Sequence, residues 1–372
     1  MTSATSDAPD TGRTSSIAPR TAGIPGARNV DHYAFTVPDL DQAVRFFEEV
    51  LGAEWLYRLG PVRDDGDWMA RQLGVDPRAS AEIVMLRLSD TNIELFEYAA
   101  PDQRLDPPGN HDAGGHHLAI GVEDIDEAVE YLRKQPGVVV QGEVQTITDG
   151  PIAGNRWIYF RAPWGLQMEL QQVATELPYE SQTEARLYRP STAPERGIPT
   201  ALGVDHVCFT VPDLDQALDF FTGHLGGRLL YRVQLAADAE YCERQLSVPQ
   251  DIAVDAAMVR LGPVTNVELF QYSVTEQRTE LPRNSDVGGH HLAFYVDDVD
   301  IAVAYLRSLP GVEVLGEPQL ITDGGPIHGD RWLYFRAPWG LQLEVLNMPD
   351  GMPYEQHTDA RRYGPSHSWD QR

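Results

Sequence analysis

The sequence predicts an α+β protein of four βαβββ modules paired into two domains. Three observations predict it: the chain is written twice, each half holds a weaker second repeat, and every unit reads strand, helix, then three strands. VDHYAFTVPDLDQAVRFF at 30–47 returns as VDHVCFTVPDLDQALDFF at 204–221, and GGHHLAIGVEDIDEAVEYLR at 114–133 returns as GGHHLAFYVDDVDIAVAYLR at 288–307. RWIYFRAPWGLQMEL at 156–170 returns as RWLYFRAPWGLQLEV at 331–345, and one extra glycine near 325 changes the offset from 174 to 175. A fixed internal period of this kind sets the architecture before any local propensity is weighed.

The elements follow in order. Residues 1–28, rich in Ser, Thr, Ala, Pro and Gly, bury too little to offset ordering entropy and read as a disordered tail. The first domain is expected over 29–173, from modules at 30–98 and 114–172. A Pro-containing, charged linker is expected over 174–203, the second domain over 204–348 from modules at 204–272 and 288–347, and an extension over 349–372. Within a half, DHYAFTVPDLDQAV aligns with HHLAIGVEDIDEAV. Each copy gives a His-led alternating strand, an acidic turn, and a helix with apolar residues at helical spacing, such as Ala43, Val44, Phe47 and Val50. Asp39 with Gln42, Asp124 with Glu127 and Asp213 with Gln216 fit N-caps with a reciprocal third-residue partner, whereas Asp298 with Ile301 breaks that pattern. The later strands of the first module are expected at 53–60, 81–88 and 92–98, and those of the second at 137–141, 156–162 and 166–172, the last two joined by a Pro-Gly turn at 163–165.

Composition limits the partners. Lys and Arg number 29 and Asp and Glu 56, a net charge of −27, which argues against nucleic acid and anionic membrane because both are bound largely through cationic side chains. Cys208 and Cys242 cannot build a disulfide framework and lack metal-ligand spacing, so a cytoplasmic setting is expected. No apolar run approaches a membrane span, and no secretion signal is expected.

Chemistry is carried by a repeated His and Glu set. On an alternating strand His32, Ala34 and Thr36 share one face and Tyr33, Phe35 and Val37 the other; the bulky side suits the helix, which turns His32 toward a cavity. Glu94 shares its face with Asn92, Phe96 and Tyr98, where a carboxylate is costly unless paired or metal-bound. His117 and Glu169, His206 and Glu268, and His291 and Glu344 repeat the arrangement. The successive spacings are 62, 23 and 52 residues in one half and 62, 23 and 53 in the other. One His at a strand start is ordinarily structural, but matched recurrence in all four modules points to ligation. The reading groups His32, Glu94, His117 and Glu169 in one set and His206, Glu268, His291 and Glu344 in the other. Imidazole with carboxylate suits a divalent ion such as Zn, Fe(II), Co, Ni or Mn. His116 and His290 face away from their neighbours and read as packing groups or supports behind the ligands.

On these motifs residues 30–172 and 204–347 resemble the vicinal oxygen chelate proteins, which include glyoxalase I, methylmalonyl-CoA epimerase, extradiol dioxygenases and bleomycin-resistance proteins. The resemblance implies glyoxalase-like domains in which paired modules form a partly closed cup around one metal. Its ligands would come from the first and last strands of each module, here the eight residues just named. The turn Ala162-Pro163-Trp164-Gly165 departs from the acidic, Asn-containing turn of many relatives. Among members with duplicated halves, the chain is most similar to cyclitol epimerases acting on 2-epi-5-epi-valiolone.

Four protein ligands on a six-coordinate ion leave two positions for neighbouring substrate oxygens, and a Lewis acid there acidifies the adjacent C–H. Glu94, Glu169, Glu268 and Glu344 are then the candidate catalytic bases and acids of an epimerase or isomerase. The alternatives are an Fe(II) extradiol-type dioxygenase, whose two-His, one-carboxylate triad a fourth ligand would crowd, and a small-molecule binding or resistance protein. Thr36, Asn92, Phe96, Tyr98, Gln167 and Gln171, with Thr210, Asn266, Phe270, Tyr272, Tyr295 and Gln342, face the cavities by strand parity. They suit a small neutral hydroxylated substrate, and the resemblance implies one from natural-product biosynthesis. Four modules in one chain complete both cups internally, which allows a monomer or a homodimer.

Overall fold

A computed structural model describes residues 23–248 and 250–369; most of the segment read as a tail lies outside them. In the first module β1 (Ala27–Thr36) leads into α1 (Leu40–Arg45), which continues as a π-helical turn over Phe46–Val50. Then come β2 (Glu54–Val62), α2 (Trp68–Leu73), β3 (Ser80–Leu88) and β4 (Thr91–Ala99). The second module holds β5 (His116–Val122), α3 (Ile125–Leu132), the two-residue strands β6 (Val139–Val140) and β7 (Gln145–Thr146), β8 (Arg156–Arg161) and β9 (Gln167–Gln172). The third repeats the first, with β10 (Ala201–Thr210), α4 (Leu214–Gly223), β11 (Arg228–Ala237), α5 (Ala239–Leu246), β12 (Ile252–Arg260) and β13 (Asn266–Ser273). The fourth repeats the second, with β14 (His290–Val296), α6 (Val299–Ser308), β15 (Glu313–Val314), β16 (Gln319–Leu320), β17 (Arg331–Arg336) and β18 (Gln342–Asn347).

The helices start where the acidic turns place them. Asp39, Asp124 and Asp213 each accept a backbone N–H of the first turn, and so does Asp298, whose side chain takes the N–H of Asp300 and of Ile301. The bond goes to backbone, so the fourth cap survives without a polar side chain at position 301. Helices α2 and α5, six and eight residues long, were not expected between strands. Segments this short have little intrinsic helix stability and a weak apolar period; they exist through tertiary contact.

Two nine-stranded sheets result, and their composition corrects the expected pairing. One runs β15-β17-β18-β14-β1-β4-β3-β2, the other β11-β12-β13-β10-β5-β9-β8-β6, with β16 and β7 attached to β17 and β8. The first module therefore pairs with the fourth and the second with the third. The seams are antiparallel ladders, β1 on β14 with Ala34 opposite His291 and β10 on β5 with Cys208 opposite His117.

The connections explain the exchange. Residues 100–115 leave β4, cross to the other sheet and meet residues 274–289 crossing the opposite way: Ala113 N–H donates to the Arg278 carbonyl and Val287 N–H to that of Arg104. Arg104 pairs with the buried Asp286, and Arg278 with Asp106 and Asp112. The glycine pairs behind them permit close passage, since a Cβ on Gly115 or Gly289 would lie 2.3 Å from the carbonyl oxygen of Gly109 or Arg283.

One core joins both sheets. Tyr33, Phe35, Leu118, Ile120, Val207, Phe209, Leu292 and Phe294 pack with the buried faces of the helices, as strand parity requires. His116 and His290 lie inside it, their rings 4.2 Å apart and stacked on Phe35 and Phe209. The opposite faces of the sheets form the two cups.

Two boundaries shift. Strand β1 begins at Ala27 and Ile24 is buried, so 23–28 belong to the fold because the strand extends into them. The segment read as linker packs as well: Tyr179 is buried in a 3-10 turn over Pro178–Ser181, and β10 starts at Ala201. The extension copies it, with Tyr354 buried in a turn over Pro353–Gln356. LPYESQTEARLYRPS at 177–191 aligns with MPYEQHTDARRYGPS at 352–366, a third repeat in each half.

Candidate metal centres

All eight proposed ligands lie at the bottoms of the cups, but in a different partition. His32, Glu94, His291 and Glu344 form one quartet and His117, Glu169, His206 and Glu268 the other, with the donor atoms of each within 4.8 Å of one another. Each centre takes one His and one Glu from each half of the chain. The half-by-half grouping was wrong because β1 lies against β14, not β5.

The first centre is built on four adjacent strands, β18-β14-β1-β4. β1 runs parallel to β4, which puts Ala34 beside Glu94, and β14 runs parallel to β18, which puts Ala293 beside Glu344. The two His Nε2 atoms are 3.2 Å apart. Glu94 Oε2 lies 3.2 Å from His32 Nε2 and 3.4 Å from His291 Nε2, and Glu344 Oε2 lies 3.3 and 3.4 Å from the same atoms. In the second centre the His Nε2 atoms are 3.3 Å apart and the four His–Glu distances run from 3.1 to 3.5 Å.

The rings are oriented from behind. Asp31 Oδ1 holds His32 Nδ1 at 2.8 Å and Asp205 Oδ1 holds His206 Nδ1 at 2.7 Å. Asn284 and Asn110, on the crossing segments, hold Nδ1 of His291 and His117 at 3.4 and 3.1 Å. With Nδ1 engaged, each ring turns Nε2 to the shared point, as metal-ligating imidazoles do. Burial opposes charge on His32, yet Glu94, Asp31 and Glu344 hold it well above its ordinary value. Burial likewise opposes charge on Glu94, and the two imidazoles hold its carboxyl far below the usual range. Glu344 Oε2 has no hydrogen-bond partner among the described residues. Buried acceptors converging on one point, one of them unsatisfied, fit a divalent cation. Each quartet can hold such an ion.

The sequence did not single out Asp31, Asp205, Asn110 or Asn284 as supports, although the repeated VDH and the Asn preceding each GGHH carry them. Several candidate lining residues turn out to be structural. Asn92 binds the Asp31 carbonyl and both backbone groups of Tyr363, and Asn266 does the same for Asp205 and Tyr188, which pins the two repeated tails to the sheets. Thr36 donates to the Asn284 carbonyl, Tyr98 accepts from Asn284, and Tyr295 donates to the Met348 carbonyl. Gln167 donates to Gln141. Of the candidates on the first and fourth modules, Phe96 lines the cavity over the first centre.

That cavity has a volume of about 630 Å³ and reaches His32, Glu94 and Glu344. Its walls include Trp68, Phe96, Trp332 and Tyr334, with Gln319, Asp330 and Arg362 among them. Helix α2 closes one side against the fourth module, Trp68 Nε1 donating to Gln319. Among the described residues no helix is long and apolar enough to cross a membrane.

Known proteins share this fold and parts of this sequence. The chain is 64% identical over 174 residues to a 2-epi-5-epi-valiolone epimerase from Actinomyces sp, covering 47% of this chain and 94% of that protein. It is 29% identical over 108 residues to the mitochondrial methylmalonyl-CoA epimerase of Mus musculus, covering 28% of this chain and 52% of that one. Glyoxalase I from Zea mays shares the fold, with a TM-score of 0.51 at 16% identity over 86% of this chain and 92% of the other. The model of the Glyoxalase/Bleomycin resistance protein/Dioxygenase superfamily matches residues 31–154 and 205–327. With its duplicated modules, its His and Glu quartets at the cup bottoms and two matches in register, the chain belongs to the glyoxalase/bleomycin resistance protein/dioxygenase superfamily.

Proposed function

We propose that the protein is a metal-dependent epimerase that moves a proton at the carbon next to the carbonyl of a small polyhydroxylated ketone, with 2-epi-5-epi-valiolone as substrate. The observation that carries this reading is the pairing of two carboxylates across one His pair. Glu94 and Glu344 come from different modules and converge within 3.4 Å of both imidazoles, which gives two proton-transfer groups around one point. The likeness to the Actinomyces epimerase supports the same reading.

The quartet of His32, Glu94, His291 and Glu344 would hold a divalent ion, which would supply Lewis acidity and so acidify the C–H next to the carbonyl. The side chains do the rest. One Glu accepts the proton from one face of the carbon and the other returns a proton to the opposite face, which inverts the centre. Asp31 and Asn284 fix the histidines, whose Nε2 atoms lie 3.2–3.4 Å from both carboxylates. Zn, Ni, Co, Mn and Fe(II) all suit the donor set.

The test is metal-loaded protein with 2-epi-5-epi-valiolone in D2O under anaerobic conditions. Deuterium should enter at the carbon beside the carbonyl without oxygen, and E344Q should slow it by about 100-fold or more, the usual contribution of a general acid or base. Turnover that requires O2 and Fe(II), with no exchange in its absence, would make the protein a dioxygenase instead.

A further inference from the structure

The two centres carry the same quartet but differ directly above it, and the differences lie at matched positions. The tail segments 177–191 and 352–366 follow one backbone course: the Leu187 and Arg362 N–H groups donate to the Tyr179 and Tyr354 hydroxyls, and the next N–H groups donate to Asn266 and Asn92. On that common backbone one half presents Leu187 and the other Arg362. Leu187 is buried among Tyr179, Leu230, Tyr231 and Met258. Arg362 lines the cavity over the first centre, pairs with Asp31 and donates to the Tyr57 hydroxyl at 2.6 Å. Asp205, the counterpart of Asp31, has His206 as its only ion-pair partner among the described residues.

A second matched pair points the same way. Asn155 Oδ1 accepts the backbone N–H of Ala174 at 2.9 Å. The corresponding residues are Asp330 and Pro349. Proline has no N–H to give, so the bond that satisfies Asn155 does not exist for Asp330. Asp330 is 5% exposed, lines the cavity, and its Oδ1 has no hydrogen-bond partner among the described residues. A buried acceptor left open at a cavity wall is costly unless a ligand satisfies it.

We infer that the centres are not equivalent: the polyhydroxylated substrate binds at the centre of His32, Glu94, His291 and Glu344, where Asp330 accepts from its hydroxyls and Arg362 donates to them, and not at the centre of His117, Glu169, His206 and Glu268. This rests on the proposed epimerase reading and adds the residues that select the substrate. A guanidinium and a carboxyl oxygen without a partner among the described residues, both lining one cavity, match a neutral molecule with neighbouring hydroxyls, which both donate and accept. Leu187 and a satisfied Asn155 offer neither.

Equilibrium dialysis of metal-loaded protein against 2-epi-5-epi-valiolone counts bound ligand whichever epimer is present. One ligand per chain is expected alongside two metal ions. D330N, which installs the residue of the other half and exchanges one carboxyl oxygen for an amide donor, should weaken binding and raise KM by about tenfold or more with a smaller change in kcat, as loss of the open acceptor predicts. N155D should change neither. R362K, which keeps the charge but not the planar fork, should weaken binding while leaving the melting temperature near that of the parent. Two equivalent ligands per chain, equal responses to D330N and N155D, or no binding at all would overturn the inference. A single bound ligand that D330N weakens, with no deuterium incorporation in the parent, would leave this assignment standing and remove the epimerase reading.

Discussion

Removing histidines in pairs separates the observed partition of ligands from the one that each half alone would make. His32 shares a centre with His291, their Nε2 atoms 3.2 Å apart, and His117 shares the other with His206 at 3.3 Å. Loss of a group that merely supports a ligand costs about 10–100-fold in metal affinity, so about 100-fold, or about 2.7 kcal/mol, is a conservative figure for losing a ligand itself. With free metal buffered at about ten times the parent dissociation constant, an intact centre is about 91% filled, a centre lacking one His about 9%, and a centre lacking both near zero. H32A/H291A confines the damage to one centre and should retain about 0.9 ions per chain, whereas H32A/H117A wounds both and should retain about 0.2. Metal emission on dialysed protein, with circular dichroism to establish folding, reads the difference directly. Retention of the larger amount by H32A/H117A would refute the pairing of first module with fourth.

Two further outcomes test the frame around the centres. Burial raises the Asp90 carboxyl from 3.8 to about 6. The folded state therefore holds this proton more tightly than the unfolded chain, and stability is lost as pH rises from about 4 through 6. D90N should stabilise the protein by about 1–2 kcal/mol at pH 7.5, after allowance for partial solvent screening, and by nothing below pH 4 in urea titrations. An equal gain at both pH values would show that charge is not the cause. At the crossing, a Cβ on Gly289 would sit 2.3 Å from the Arg283 carbonyl oxygen and 2.7 Å from that of Asn284, both backbone atoms that cannot easily retreat. G289A should cost about 2–3 kcal/mol by urea denaturation, and a loss below 0.5 kcal/mol would mean the crossing is looser than its geometry indicates.

The modules, the helix starts and the eight His and Glu residues that gather into the two quartets could be read in the sequence because they are periodic: strand parity places His32 and Glu94 on one face, and repetition marks them out from ordinary residues. The pairing could not be read. GGHHLA at 114–119 is identical to GGHHLA at 288–293, so either copy offers β1 the same edge, the same His and the same register. The choice rests on the course of 100–115 and 274–289, whose non-local ion pairs, such as Arg104 with Asp286, leave no local pattern. Short helices such as α2 escaped for the same reason, being held by contacts such as Trp68 with Gln319. The difference between the centres was present in the sequence all along, in the alignment of 177–191 with 352–366. A composition that suggested a linker concealed a repeat, and one Leu-to-Arg exchange within it alters what lies above a His and Glu quartet.

The exchange of strands between sheets also orders events along the chain. The pairings are nested, second module with third inside first with fourth. A ribosome has delivered every ligand of the inner quartet once Glu268 emerges, whereas the outer quartet, begun with His32, waits for Glu344, and its cavity for Arg362. The first strand made must therefore hold an unpaired edge through the synthesis of three modules, with the near-identical strand at 116–122 available as a wrong partner long before the right one exists. Faithful assembly then depends on the inner sheet capturing that strand early, so slow folding of the third module, rather than of the first, is where misassembly would begin.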